Sequence, residues 1–234
     1  MRPVVRGPCP KDDAGNDILF KEYALARRSL IERIGERCSY CEMHLDSSLA
    51  VEHVKPKKPP GAAQVMPERE LDWANFLLAC TNCNSTKGDT DLALENYIWP
   101  DRDNTFKALT YSEGGLVAAS QGPDSVRALN LVKLVGLDKT PVTAKASDRR
   151  WENRREAWEI AQDSLRDLNE NDSLALRRQI IRTVKTHGYW SVWMTVFKDH
   201  PEMLSDIMTT IPGTDHTCFD AANRYAPVAR HSNT

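Results

Sequence analysis

Hydrophobic and polar positions change period several times along the chain, and the changes divide it into elements. From Asn16 or Asp17 the run ILFKEYALARRSLIERIG places Leu19, Tyr23, Leu30, Ile31 and Ile34 near helical spacing. Asp17 is a suitable N-cap and Gly35 a suitable stop, so a helix is expected across the whole run. Leu49 to Val54 alternates over a short span and predicts a strand. The following KPKKPPGAAQVMPERE is too rich in proline for a helix or a central strand and predicts a loop. NFLLAC, with Trp73, Phe76, Leu77 and Leu78 in or beside it, predicts the second strand of a hairpin. A helix is then expected from Asn82 or Asn84 through ALENYIW to Pro100, broken at Lys87-Gly88.

Beyond Pro100 the longer period dominates. Residues 101–123 carry strand-forming pieces about Gly114-Gly115 and predict a small hairpin. Asp124 to Gly136 reads as a capped helix with Val126, Leu129, Leu131, Val132 and Val135, and DKTPVTAKASD after it as a boundary. Ser147 to Leu168 predicts a long amphipathic helix carrying Trp151 and Trp158, and Ser173 to Thr186 another, ended by His187-Gly188. Residues 189–199 and 201–211 are shorter helical pieces parted by Pro201. Residues 1–15 predict an extended arm, and the tail from Pro212 an irregular segment with a loose end. The expected fold class is α+β. Residues 1–123 would hold the arm, first helix and cysteine-rich hairpin unit, and residues 124–234 a helical domain for docking a partner.

Charge and composition narrow the function. The net charge is −2 with 27% charged residues, so no global positive field marks a solitary nucleic-acid binder. No run approaches the roughly 20 apolar residues of a membrane span, and the N-terminus lacks an apolar signal core. No membrane and a cytoplasmic location are expected. Four of the six cysteines form two close pairs, Cys38/Cys41 and Cys80/Cys83, which in a reducing compartment favours a metal over disulfides. Cys9 and Cys218 read as ordinary thiols.

Four thiolates at this spacing suit one tetrahedral Zn²⁺ with no open position, hence a structural ion. A loop-rich unit of about 50 residues needs such a staple, because it buries too little apolar surface alone. His44 is a spare ligand that a complete thiolate set does not require. His187, His200, His216 and His231 have no companions and read as structural or exposed.

The strings CSYC, VEHVKP and NFLLACTNCNSTKG together resemble the HNH (ββα-metal) endonucleases. The resemblance implies a zinc-stapled ββα-metal core in which His53 is the general base for phosphodiester hydrolysis. Glu52 and Asn84 offer hard oxygens suited to a catalytic Mg²⁺ or Mn²⁺. Asn75, the middle letter, is implied to fix the loop between the strands and so hold the histidine. Two departures stand out: Asn84 occupies a position that is often His, and Glu52 replaces the commoner Asp. On a regular strand Glu52 and His53 point to opposite faces, so convergence on one phosphate needs the strand to end or twist there. Lys87 lies on the Asn84 face of the helix, against phosphate or solvent.

A wider similarity extends over MRPVVRGPCP, PDRDNT, DRRWENRREAW and PGTDHTCFD. These strings resemble the HNH subunit family of the Septu anti-phage systems (PtuB-type), also found as an effector in retron systems. That likeness implies an ABC-type ATPase partner (PtuA-type) that holds the nuclease quiescent until infection. It also implies a nucleic-acid substrate, DNA favoured over RNA or tRNA, with retron RNA/DNA in a larger complex. Trp151, Trp158, Trp190 and Trp193 are core residues or a docking face on this basis. Arg149, Arg150, Arg154 and Arg155 face an acidic partner or phosphates, and Arg27, Arg28 and Arg33 pack or touch phosphate. The alternative is a zinc-stapled nucleic-acid or protein binding module without chemistry.

Overall fold

The computed structural model describes residues 1–45, 47–143 and 147–230. Helix α1 (Arg27–Ile34) follows a 3₁₀ turn at Tyr23–Ala26 and ends at Gly35, whose φ of +81° lies where glycine is favoured. The expected helix therefore loses its first half. Asp12 Oδ1 accepts from the amides of Ala14 and Asn16, and Lys11 bridges Asp17, so a tight turn holds these residues instead. Leu19 is 90% exposed and has no core to face.

The central hairpin pairs β1 (Ala50–His53) antiparallel with β2 (Phe76–Ala79), placing His53 opposite Phe76 and Glu52 opposite Leu77. Within the intervening loop Pro67–Glu70 forms one helical turn with proline at its start, where the missing N–H costs nothing. Helix α2 (Thr81–Lys87) is capped by Cys80 and stops at Gly88, φ +63°. It does not run on to Pro100. The chain turns away there, with only a 3₁₀ turn at Leu94–Asn96, and thereby delivers Ile98 and Trp99 to the core at 0% and 1% exposure.

Strands β3 (Leu109–Ser112) and β4 (Leu116–Ala119) make the expected second hairpin about Gly114-Gly115. Helices α3 (Ser125–Val135), α4 (Arg150–Glu170), α5 (Leu174–His187), α6 (Trp190–Val196) and α7 (Pro201–Thr210) complete the helical half. Residues 144–146 of the expected boundary, and His231, lie outside the described residues. Trp190 and Trp193 are fully buried, with indole N–H groups donating to the carbonyls of Ile207 and Gly188. Trp158 is also buried, so these three serve the core and not an aromatic docking face; Trp151 is half-buried beneath the Arg155 guanidinium.

Both ends of the described chain are tied into the body. Met1 and Val4 are buried, Val4 bridges Thr214, and the Arg2 guanidinium donates to the carbonyl of Pro212 at 2.9 Å and the hydroxyl of Thr214 at 3.0 Å. Arg230 donates to the carbonyls of Val4 and Pro100, and Asn104 to those of Cys218 and Val228. The tail is thus a structural strap up to residue 230.

The cysteine-bearing unit and the helical half share buried contacts. Glu42, in the turn after Cys41, accepts from Ser191 Oγ at 2.7 Å and Ser191 N at 3.2 Å at the start of α6. Gly188, φ +88°, pairs with Met43; a side chain there would meet the Glu42 carbonyl at 2.8 Å. No described helix is long and apolar enough to cross a membrane.

Candidate active site and metal centre

The two cysteine pairs converge. The Sγ atoms of Cys38, Cys41, Cys80 and Cys83 all lie within 4.8 Å of one another, and those of Cys41 and Cys80 are 3.7 Å apart. A zinc tetrahedron with bonds of about 2.3 Å places its sulfurs roughly 3.8 Å apart, so this quartet fits the ion. Local chain geometry sets it up. The Cys38 turn docks on β2 through Ser39 N to the Leu78 carbonyl, 2.7 Å, while Cys80 caps α2 by accepting from Cys83 N at 3.4 Å.

A fifth residue reaches this centre from far along the chain. Arg150, 3% exposed at the start of α4, donates from Nη1 to Cys83 Sγ at 3.0 Å. Asp148 and the carbonyls of Val135 and Gly136 hold the guanidinium in place. A tetrathiolate zinc centre carries a net charge of −2, and a buried guanidinium offsets part of it. Arg150 and Arg154 are therefore internal and not a phosphate-facing or partner-facing pair; Arg154 donates to the carbonyls of Gly115 and Leu137. Nothing in local sequence spacing connects Arg150 with Cys83; they meet because α2 packs on α3 and the start of α4 bonds to the carbonyls that end α3. Arg150→Met is expected to weaken zinc retention about 10- to 100-fold, measured as competition with a colorimetric chelator.

At the far end of β1 the loop closes on His53. Its Nε2 lies 3.0 Å from the carbonyl oxygen of Glu70. A carbonyl only accepts, so the proton sits on Nε2 and Nδ1 is left as the basic atom. Burial pushes the imidazole below its ordinary value of 6.5; the Glu70 hydrogen bond opposes this and Lys57 and Lys87 add to it. The ring stays neutral, and able to accept a proton, at neutral pH. Tyr23 packs edge-on at 4.9 Å and Phe76 at 5.3 Å, fixing the ring plane. Lys57 Nζ covers the Tyr23 ring and pairs with the Glu70 carboxylate at 3.1 Å.

Asn75 locks the loop that presents this carbonyl. Its Oδ1 accepts from Lys55 N at 2.7 Å, and its Nδ2 donates to the carbonyls of Lys55, 2.9 Å, and Arg69, 2.8 Å. Both amide hydrogens are thus spent on the two loop ends, one residue away from the Glu70 carbonyl that holds His53.

Glu52 takes a different path. Its side chain is buried on the face of β1 away from the His53 ring, with Oε1 2.9 Å from Lys87 Nζ and 3.5 Å from the Tyr40 hydroxyl. Lys87 Nζ also donates to the His53 carbonyl at 2.8 Å. Burial raises the Glu52 carboxyl and Lys87 opposes that shift. Lys87 therefore meets neither solvent nor phosphate; it is 2% exposed inside an ion pair. Asn84 is half-buried in α2, its backbone amide already bonded to the Cys80 carbonyl at 3.0 Å, and its side chain makes no hydrogen bond among the described residues. As arranged, Oε1 of Glu52 is engaged by the Lys87 ammonium. Lys87→Met would strand the Glu52 charge and should cost about 3–5 kcal/mol in urea unfolding. Adding Glu52→Gln in the same chain should recover most of that loss.

Residues 38–90 match the family model described as HNH endonuclease. This stretch is an HNH endonuclease domain. The match supports nuclease chemistry and metal-dependent cleavage of nucleic acid, and the sulfur quartet lies inside it. No curated protein matches the chain. Of the two cysteines outside the HNH domain's quartet, Cys218 is fully buried, which pushes its thiol up to about 12 and leaves it unreactive.

Proposed function

We propose that the chain is a phosphodiester hydrolase in which His53 Nδ1 takes the proton from the attacking water. The observation that carries this reading is the hydrogen bond between His53 Nε2 and the Glu70 carbonyl, 3.0 Å long, on a loop clamped by Asn75. The bond fixes the tautomer and leaves Nδ1 as the basic atom, which a general base requires. In this reading Asn75 acts by positioning and the zinc centre by holding hairpin and helix in register. Mg²⁺ or Mn²⁺ enters through the family resemblance, with Glu52 and Asn84 as donors once Lys87 has moved off the carboxylate.

The resemblance to PtuB-type subunits extends the proposal: a cytoplasmic anti-phage effector working with an ABC-type ATPase, DNA favoured as substrate. Its near-neutral charge accords with an enzyme delivered to its target by a partner. A second reading, a zinc-stapled binding module without chemistry, is favoured by one observation, the occupation of Glu52 by Lys87. Incubating zinc-loaded protein with duplex DNA and with RNA, adding Mg²⁺ or Mn²⁺ or neither, decides between them. Cleavage that requires an added ion and is lost in His53→Ala supports the nuclease; intact substrate under every condition favours the module.

A further inference from the structure

Helix α5 has the sequence LALRRQIIRTVKTH, with four Lys/Arg and no Asp/Glu in 14 residues, in a chain whose net charge is −2. Arg178, Arg182 and Lys185 are exposed on it. At 3.6 residues per turn and a rise of 1.5 Å they fall within about 60° of one another along about 10 Å of helix. None of the three has a carboxylate partner among the described residues, unlike Arg177, which is held by Asp172 at 2.6 Å and Glu202 at 3.5 Å. Lys21, Arg27, Lys58, Lys107 and Lys198 are also exposed without a carboxylate partner among the described residues, but on separate elements and not in one helical row. On and beside α4, Arg149 pairs with Glu152, Arg155 with Glu159 and Arg166 with Asp163.

Two ordinary explanations account for only part of this stripe. A cation in the last turn steadies the helix macrodipole, which covers Lys185. Arg178 and Arg182 lie outside that turn and gain nothing from it. Solubility is served by mixed charge, as on α4, and does not call for a helix without acids; the Asp206 carboxylate of α7 lines the groove beside Arg178 and Arg182 without pairing with either. The stripe is also fixed to the HNH domain. The Lys185 carbonyl accepts from the Arg37 guanidinium, Gly188 pairs with Met43, and Tyr189 N donates to the Glu42 carbonyl at 3.1 Å.

We propose that the outward face of α5 binds the sugar-phosphate backbone of the nucleic acid that the HNH domain cleaves. This rests on the nuclease reading and adds to it where the substrate lies. A length of about 10 Å spans roughly six phosphate charges of a duplex, at one per about 1.7 Å. The exposed residues among the cations are Ala175, Gln179 and Thr186; only Leu174, at the first turn, is a large apolar side chain. A protein partner's interface would centre on buried aromatic or aliphatic anchors, whereas a backbone-binding surface needs charge and small polar groups.

The test uses full-length zinc-loaded protein carrying His53→Ala, so that substrate survives, and fluorescein-labelled DNA and RNA duplexes followed by anisotropy over a salt series. Adding Arg178→Ala, Arg182→Ala and Lys185→Ala should lower affinity at about 0.1 M salt at least tenfold and flatten the log K against log salt slope by about 2–3. Arg149→Ala with Arg166→Ala should change neither. Matching thermal melts show that the triple variant is folded; if it melts early, Arg182→Ala alone should still flatten the slope by about 0.9 on DNA. Unchanged slope and affinity on nucleic acid that the His53→Ala parent binds would overturn the placement and leave the nuclease reading intact. Retained nucleic-acid binding with lost binding of labelled polyglutamate would assign the face to an acidic protein instead, which also overturns it. A parent that binds neither duplex overturns the placement, while the nuclease reading is judged separately by cleavage with the His53-containing protein.

Discussion

His53→Ala should reduce cleavage by about 10²- to 10⁴-fold, the usual contribution of a positioned general base. Zinc content and melting temperature should stay close to those of the parent. The ring contacts Tyr23 and Phe76 at the edge of the core, and the cysteine quartet lies at the opposite end of β1 from it. The separation matters for interpretation, because a variant that lost activity through lost zinc would say nothing about the base. Asn75→Ala, by freeing the Arg69 carbonyl, is expected to act through His53 and to lower the rate without removing the imidazole. If His53→Ala cleaves at the parental rate, the imidazole is a packing residue and the proposed chemistry falls with it.

Removing zinc should have the largest effect on stability. Structural zinc contributes about 10–16 kcal/mol in small zinc-binding peptides, which matches or exceeds the roughly 5–15 kcal/mol that holds a typical domain together. Treatment with a strong chelator, or Cys80→Ser, is therefore expected to abolish the native state of the HNH domain at about 37 °C. The damage should not stop at residue 90, because Arg150 donates to Cys83 and Glu42 binds the start of α6. Hydrogen exchange before and after chelation should show α4 and α6 losing protection together with β1 and β2. Retention of full protection in those two helices would mean that the contacts are incidental.

The elements that sequence reasoning placed well are those fixed by local chemistry. Gly35, Gly136 and the Ser173 cap mark helix ends because a backbone angle or a side-chain hydrogen bond sets them. The HNH hairpin was legible because Cys spacing and strand-forming runs agree. Residues 16–22 and 89–99 show the limit: both have apolar residues at helical intervals, yet a turn at Asp12 and the positive φ of Gly88 decide otherwise. Charge was the least legible property. Lys87, Arg150 and Arg154 look like surface cations in a one-dimensional string, and each is almost fully buried beside a partner distant in sequence. Conversely, the exposed cations of α5 stand out only once the fold places three of them without a counter-ion along one helix face.

The interlocked ends have a bearing on biosynthesis. Arg2 and Val4 find their partners at residues 212–214, and Arg230 returns to Val4, so residues made early wait on the ribosome for others made far later. Cys83 likewise emerges well before Arg150. A growing chain can thus gather its sulfurs early, yet the body around them closes only once residue 230 has been synthesised.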